Sequence, residues 1–284
     1  MRTLRALRNE GANRLAAYSE TPALDAAILL GHACGMTRAS LLANDNLPAA
    51  AAQITQYEIL IEQRRSGMPM AYITGTCEFM SLPFAVDSRV LIPRADTETL
   101  VETILASHRQ CTFSRGLEIG AGSGCISIAL AHYGGLQMTA VDISRNALAV
   151  ARHNAAQNNV DRYVTFTHGD MFAPLTAPDI GAYDFIVSNP PYIPSADIET
   201  LSASVRDFEP RTALDGGIRG LDFYERLAQG GVKWLRPGGM IFWEIGHDQK
   251  IDTMRILRET GWTDIKCLQD LSGLDRVVYA RLEA

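Results

Sequence analysis

The hydrophobic positions of this 284-residue chain change period twice along its length. Residues 1 to about 75 carry apolar side chains at helical spacing, and no alternating run interrupts them. Arg2, Arg5, Arg8 and Arg14, together with Glu10, read as a plain amphipathic helix rather than a transit peptide. Thr21-Pro22 is a cap followed by proline at the first helical position. The helix after it runs from Ala23 to His32, apolar at Ala26, Ala27, Leu29 and Leu30, and stops at Gly35. A third helix is predicted from Ala49 to Arg65, with Ile54, Ile59 and Leu60 at helical spacing, ending before Gly67 and Pro69. Residues 1–75 are therefore expected to form a small helical bundle.

The second period begins at Phe79. Phe84, Val86, Val90 and Ile92 fall on even positions, which predicts extended structure around Pro83 and Asp87-Ser88. Residues 76–95 read as a β-hairpin linker, and Ile92-Pro93-Arg94 leads into a helix from about Thr97 to Ser107. Residues 96–284 read as one α/β domain. From Gly116 strands alternate with helices. Strands are expected at Leu117–Ile119, Met138–Asp142, Tyr163–Thr167, Phe185–Ser188 and Met240–Ile245. Helices are expected at Cys125–His132, from Ser144 with Leu148, Ala151 and Ala155 on one face, at Gly220–Leu235 and at Asp248–Glu259. This order implies a parallel sheet covered on both faces. Two final strands, Trp262–Leu268 and Arg276–Arg281, have only a turn at Ser272-Gly273 between them, so an antiparallel edge strand is expected.

Composition narrows the class. The chain is 47% hydrophobic and 20% charged, enough apolar material for a real core. Its net charge of −6 argues against a protein that grips long stretches of nucleic acid. No apolar run approaches a membrane span, and no signal peptide is visible. The five cysteines form no Cys-x-x-Cys pair and read as small buried hydrophobes of a cytoplasmic protein. The six histidines show no metal spacing.

Candidate chemistry sits at strand ends, where open α/β sheets bind ligands. Asn189-Pro190-Pro191-Tyr192 follows the apolar run that ends at Ser188. Two prolines fix φ and remove two donors, and Asn189 is held out of the helical region because it precedes proline. The loop offers an amide, bare carbonyls and an aromatic ring, a set suited to a planar –NH2 group. Upstream, Gly120-Ala121-Gly122-Ser123-Gly124 lies between the first sheet strand and its helix. Its G-x-G-x-G spacing differs from the dinucleotide fingerprint and suits a ligand without phosphates. Asp142 ends the next strand, where a carboxylate can accept from ribose hydroxyls. Asp170 ends the third, placed to accept from an adenine amino group, with Met171 to pack on the ring.

These four features, in this order, resemble the S-adenosylmethionine-dependent methyltransferases of seven-stranded, Rossmann-like fold, in the branch that methylates amino groups. Leu91-Ile92-Pro93-Arg94, Glu98, Glu209-Pro210, Gly216-Gly217, Gly220-Leu221, Glu244-Ile245-Gly246, Gln249 and Asp275-Arg276 are similar to the HemK-type release-factor glutamine methyltransferases. The helical N-terminus fits too. The resemblance implies methyl transfer from S-adenosylmethionine, leaving S-adenosylhomocysteine, to the side-chain amide nitrogen (N5) of a glutamine. The implied target is the Gly-Gly-Gln loop of peptide-chain release factors, which residues 1–75 would recognise, with no direct nucleic-acid contact. It implies that Asn189 and Pro190 accept the two amide N–H groups while Tyr192 packs on the amide plane. Pro191 completes that substrate loop, and Asn189 also borders the cofactor. Ala95-Asp96 replaces the family's usual Pro-Glu, Met80-Ser81 replaces an aromatic and a glycine, and Met171 replaces a frequent tryptophan. A ribosomal-protein glutamine methyltransferase and a DNA adenine N6-methyltransferase are the alternatives.

Overall fold

The computed structural model describes residues 2–283. The chain forms two compact units, residues 1–75 with 202–208, and residues 76–201 with 209–284.

The first unit is helical: α1 (Leu4–Leu15), α2 (Pro22–Cys34), α3 (Arg38–Ala43), α4 (Ala51–Arg65) and α5 (Met70–Thr74). Its core joins Leu7, Leu15, Leu29, Leu30, Tyr57, Leu60 and Ile61. Gly11 lets α1 approach α4 closely, since a Cβ there would lie 1.9 Å from the Tyr57 hydroxyl. The buried stripe of α4 differs from expectation. Ile59 is 49% exposed, and Tyr57 with Ile61 takes the inward face beside Leu60. A run of Ile-Leu-Ile is ambiguous in phase, and only the packing of Tyr57 beneath Gly11 settles it. Arg64 near the end of α4 bonds buried Asp25 at 2.7 Å and the Met68 carbonyl.

The second unit opens with the hairpin β1 (Thr76–Phe79) and β2 (Leu82–Ala85). Its turn is Met80-Ser81, and both turn residues have positive φ, 52° and 58°. Two residues in that region match the twist of a two-residue hairpin. The even-numbered apolar positions Phe84, Val86, Val90 and Ile92 are all buried, although only Phe84 lies in a strand. Helix α6 runs Ala95–Cys111, two residues longer at its start and four at its end than predicted.

The sheet contains β3 (Arg115–Ile119), β4 (Gln137–Asp142), β5 (Val164–His168), β6 (Tyr183–Ser188), β7 (Leu235–Glu244), β8 (Trp262–Gln269) and β9 (Asp275–Leu282). Their order is β5-β4-β3-β6-β7-β9-β8. Helices α7 (Cys125–Gly134) and α8 (Arg145–Gln157) follow β3 and β4. The short α9 (Ala203–Arg206) belongs to the first unit, and α10 (Asp222–Gly231) and α11 (Lys250–Glu259) complete the second. Ser144 caps α8 by accepting from the Ala147 N–H, as predicted. Alternate residues of β6 and β7 feed opposite faces. Ile186, Ile241 and Trp243 meet Leu227 of α10 and Leu257 of α11 in one cluster, while Phe185 and Phe242 form an aromatic group with Phe113.

Two boundaries correct the sequence reading. Helix α10 ends at Gly231 and Leu235 already belongs to β7; a Cβ on Gly231 would press to 3.0 Å from Ile186, so the glycine marks where helix meets sheet. The antiparallel strand, β9, is not at the edge but pairs with β7 on one side and β8 on the other. Val277, Val278 and Ala280 of β9 are buried, whereas β8 after Trp262 is mostly exposed, so the apolar strand takes the inner slot.

Candidate active site

The carboxyl ends of β3, β4 and β6 open onto a cavity of about 770 Å³. At the end of β3 the chain turns through Gly120, Gly122 and Gly124, with φ of 82°, 53° and 81°. L side chains rarely adopt three such angles in one loop. The Gly120 and Ala121 N–H groups bond the Val141 carbonyl at 2.8 and 3.0 Å, which fastens the loop to β4. Asp142 completes that tie: Oδ2 accepts from the Gly122 N–H at 2.8 Å and Oδ1 from the Ser144 N–H at 2.7 Å. Asn154 of α8 donates to the Ser123 carbonyl and pairs with both backbone groups of Ala85, so the loop and the hairpin share one buried side chain.

On the β6 side, Ser188 Oγ donates to the Ile119 carbonyl at 2.7 Å and draws the two strand ends together. Asn189, Pro190 and Pro191 line the cavity opposite the glycine loop. Asn189 Nδ2 donates to Thr97 Oγ1 at 3.2 Å. Its Oδ1 thus remains available as an acceptor. Tyr192 is not among the described residues lining the cavity. Its ring packs against the core cluster of α10 and α11, and its hydroxyl lies 3.5 Å from Glu244 Oε1. Burial and the nearby Glu244 push the phenol pKa well up. Gln249 donates to the carbonyls of Tyr192 and Gly220, so it props this loop. The backbone packing is close, since a Cβ on Gly216 would fall 2.7 Å from the Pro191 carbonyl oxygen.

Asp170 and Met171 also border the cavity. Asp170 is half exposed and accepts from Arg226 Nη2 at 2.7 Å. Met171 is buried, with φ of 48°. Arg94 lines the cavity and pairs with buried Glu209, which also accepts from the Ile92 N–H. Asp96, at the start of α6, reaches Arg276 at 3.3 Å.

Glu118 received no role from sequence, yet it lines the cavity and is fully buried. Ser127 bonds Oε2 through both its N–H and its hydroxyl, while Oε1 has no partner. Burial raises its pKa to about 8 against the lowering by Ser127. The available signal was a lone acid between Leu117 and Ile119 in a strand that reads as buried. Glu244 is a second such group, raised to about 7 by burial, with the Thr97 hydroxyl and Arg276 opposing.

Comparison with known proteins places this geometry. Residues 6–75 match the family model of the PrmC N-terminal domain, and residues 94–205 that of the methyltransferase small domain. A release factor glutamine methyltransferase from Moorella thermoacetica is 44% identical over 284 residues, covering 98% of each chain. The chain belongs to the release factor glutamine methyltransferase family. A second member, from Geobacter sulfurreducens, is 40% identical over 93% of this chain and 90% of its own. A crystal structure of a methyltransferase from Pyrococcus furiosus is 17% identical with a TM-score of 0.53, covers 72% of this chain and 91% of that one, and shares the fold.

As a methyltransferase of this family, the chain uses S-adenosylmethionine as methyl donor. The cavity fits that group. Glu118 Oε1 and Asp142 offer acceptors at the ends of β3 and β4, which suit the amino and hydroxyl donors of that molecule. The unpartnered Oε1 of Glu118 is an acceptor waiting for a donor, and nothing lies within 4 Å of a Cβ built on Gly122, so the backbone there is open to a ligand.

Proposed function

We propose that this enzyme methylates the side-chain amide nitrogen of the glutamine in the Gly-Gly-Gln loop of peptide-chain release factors. The observation that carries the reading is the orientation of Asn189. Its Nδ2 is engaged by Thr97, so the oxygen is the end left for a ligand. With the Pro190 carbonyl, which has no competing N–H in its own ring, the wall presents acceptors to a group bearing two hydrogens.

Glu118, the Gly120–Gly124 loop, Asp142, Asp170 and Met171 would hold S-adenosylmethionine, which would supply an electrophilic methyl group. An amide nitrogen is a weak nucleophile because its lone pair is delocalised into the carbonyl. Asn189 Oδ1 and the Pro190 carbonyl would accept its two N–H bonds and aim the nitrogen along one line, which contributes proximity. As the new C–N bond forms, the methyl–sulfur bond would break with its electron pair going to sulfur, leaving S-adenosylhomocysteine, and the two fixed dipoles would stabilise the positive charge that grows on nitrogen. The nitrogen then becomes acidic, so its proton leaves without a strong base. Tyr192 serves here as the anchor of the loop through its carbonyl and Glu244. Pro191 stiffens the same wall.

The identity of the relatives supports a release factor as the partner, and the match of residues 6–75 to the PrmC N-terminal domain supports that bundle as the recognition surface. Among the described residues no helix is long and apolar enough to cross a membrane. A substrate used in translation supports a cytoplasmic location, and the acidic net charge supports a protein rather than a nucleic acid as the macromolecule bound.

The test uses labelled S-adenosylmethionine with a purified release factor, the same factor with its Gly-Gly-Gln glutamine replaced, or duplex DNA. Label is expected on the first alone, and label on DNA but not on the factor refutes the proposal. Asn189→Ala should lower turnover by roughly 10²- to 10³-fold, the usual effect of deleting one aimed hydrogen-bonding group. Its cofactor affinity, measured by direct titration, should stay nearly unchanged.

A further inference from the structure

We infer that Arg94 is a substrate-binding residue, the donor that takes the side-chain oxygen of the target glutamine, and that buried Glu209 is the positioning residue that holds it. This rests on the reading of Asn189 and Pro190 as acceptors for the two amide N–H bonds. A primary amide has two ends, and that wall serves only one of them. An amide oxygen taken out of water without a donor weakens binding. The prolines of the loop carry no N–H. Ser188 Oγ is committed to the Ile119 carbonyl. A donor must therefore come from another element.

Arg94 stands one helical turn from Asn189. It is the N-cap of α6, and its carbonyl accepts from the Thr97 N–H at 3.1 Å. The Thr97 hydroxyl in turn meets the Asn189 amide nitrogen at 3.2 Å. All three residues line the cavity. By local rules an arginine is misplaced here. N-caps favour Ser, Thr, Asp or Asn, and the positive end of a helix disfavours a cation. Arg94 makes no side-chain cap. Its partner is equally unfavourable by itself. The Glu209 side chain is 1% exposed, and it accepts from the Ile92 N–H at 3.1 Å and from Arg94 Nη2. A buried ion pair gives little net stability over apolar side chains of the same size. A residue that breaks local rules on both counts, beside a cavity, points to a task in that cavity.

The pair suits a donor's role in two ways. Glu209 engages Nη2 and leaves the rest of the guanidinium fork, on a side chain 38% exposed, for a ligand. It also cancels the charge of Arg94. An uncompensated guanidinium would repel the sulfonium of the methyl donor, whereas a neutral pair offers charge-assisted donors without that repulsion. Arg89, Arg211 and Arg226 line the cavity too, but their acids, Asp87, Asp215 and Asp170, stand partly in water and fix them less firmly. A bond to the amide oxygen has its own kinetic signature. It is made before and during methyl transfer, so it contributes to binding in both states. It also draws the nitrogen lone pair toward the carbonyl, so its loss does not weaken the nucleophile. Removing it should raise KM for the factor and spare kcat, the opposite of Asn189→Ala.

The experiment measures release-factor methylation, factor binding and cofactor binding for Arg94→Lys, Glu209→Gln, Arg94→Met combined with Glu209→Gln, and Asn189→Ala. Arg94→Met alone would strand a buried charge, so the combined variant is used; its glutamine keeps an acceptor for the Ile92 N–H. It should raise KM for the factor roughly 10- to 100-fold, the scale of a hydrogen bond to a charged group. Its kcat should stay within about threefold and its cofactor affinity within about twofold, because the lost bond is the same in ground and transition states. Arg94→Lys keeps the charge opposite Glu209 but loses the fork, and should raise KM several-fold. Glu209→Gln should raise KM where Arg94 is present and add nothing once Arg94 is methionine. A second readout needs no turnover. A factor carrying glutamate in place of the target glutamine sets a carboxylate against Arg94, a stronger bond than an amide oxygen makes. The combined variant should therefore lose more affinity for the glutamate factor than for the natural one. Equal losses for the two factors would mean that Arg94 meets another atom of the factor, and overturn the inference. So would an unchanged KM in both Arg94 variants, or a fall in kcat at unchanged KM. Wild-type turnover in Asn189→Ala overturns the Asn189 reading instead, and absence of label on the factor with the unmodified enzyme overturns the proposed function itself.

Discussion

Binding of S-adenosylmethionine should depend on pH through Glu118. In the cofactor-free enzyme burial lifts this carboxyl to about 8, so at pH 7 only about one molecule in ten carries the charge. A cationic ligand placed against the unpartnered Oε1 favours the ionised form and lowers its pKa. Affinity should thus be greatest above pH 8 and fall as pH drops through it, by up to about tenfold (~1.4 kcal/mol) per unit until the pKa of the complex is reached. Calorimetric titration from pH 6 to 8.5, in two buffers of different ionisation enthalpy, reads both the affinity and the proton released. Glu118→Gln keeps an acceptor for Ser127 but turns an NH2 toward the cavity. It should weaken binding at pH 8.5 roughly 10- to 100-fold, the scale of a hydrogen bond to a charged group, and flatten the pH dependence. Its folding stability should move the other way. A carboxyl raised from its unfolded value of 4.5 to about 8 costs stability as pH rises through that window, and glutamine removes the cost. The unliganded variant should therefore melt no lower than wild type at pH 8. Affinity that is flat from pH 6 to 8.5, or a variant that binds normally, would show that Glu118 does not meet the cation.

Two further substitutions test the frame around the site. Asn154→Ala strands the Ala85 N–H and the Ala85 and Ser123 carbonyls, so it should cost about 2–4 kcal/mol and lower Tm by several degrees in a thermal melt. A shift under 1 °C would mean that water replaces the side chain. In the helical unit, Arg64→Ala leaves buried Asp25 with only Ser19 and Thr21, at a cost near 3 kcal/mol, and Arg64→Ala with Asp25→Asn should recover part of it. Simple additivity of the two changes in urea unfolding would refute the coupling.

The parts of this molecule that were legible in the sequence are those a residue writes through its own backbone. Gly120, Gly122 and Gly124 announce a positive-φ turn, Pro190 and Pro191 announce a stiff loop with few donors, and Ser144 announces a cap. Their places at strand ends followed from the alternation of strands and helices. What was not legible depends on neighbours remote in sequence. The phase of α4 was set by Tyr57 beneath Gly11, and the inner position of β9 by how apolar it is compared with β8. The resemblance implied Tyr192 on the amide plane, but its ring packs on the core of α10 and α11, with Glu244, 52 residues away, at its hydroxyl. The same distance separates motif from mechanism at Asn189. Asn-Pro-Pro-Tyr specifies that an amide stands at the cavity wall. An amide is donor and acceptor at once, and nothing within the motif selects between them. Selection requires a neighbour remote in sequence, and Thr97 of α6, 92 residues away, engages the Asn189 amide nitrogen. The acceptor character of this site is therefore a property of α6 and β6 together.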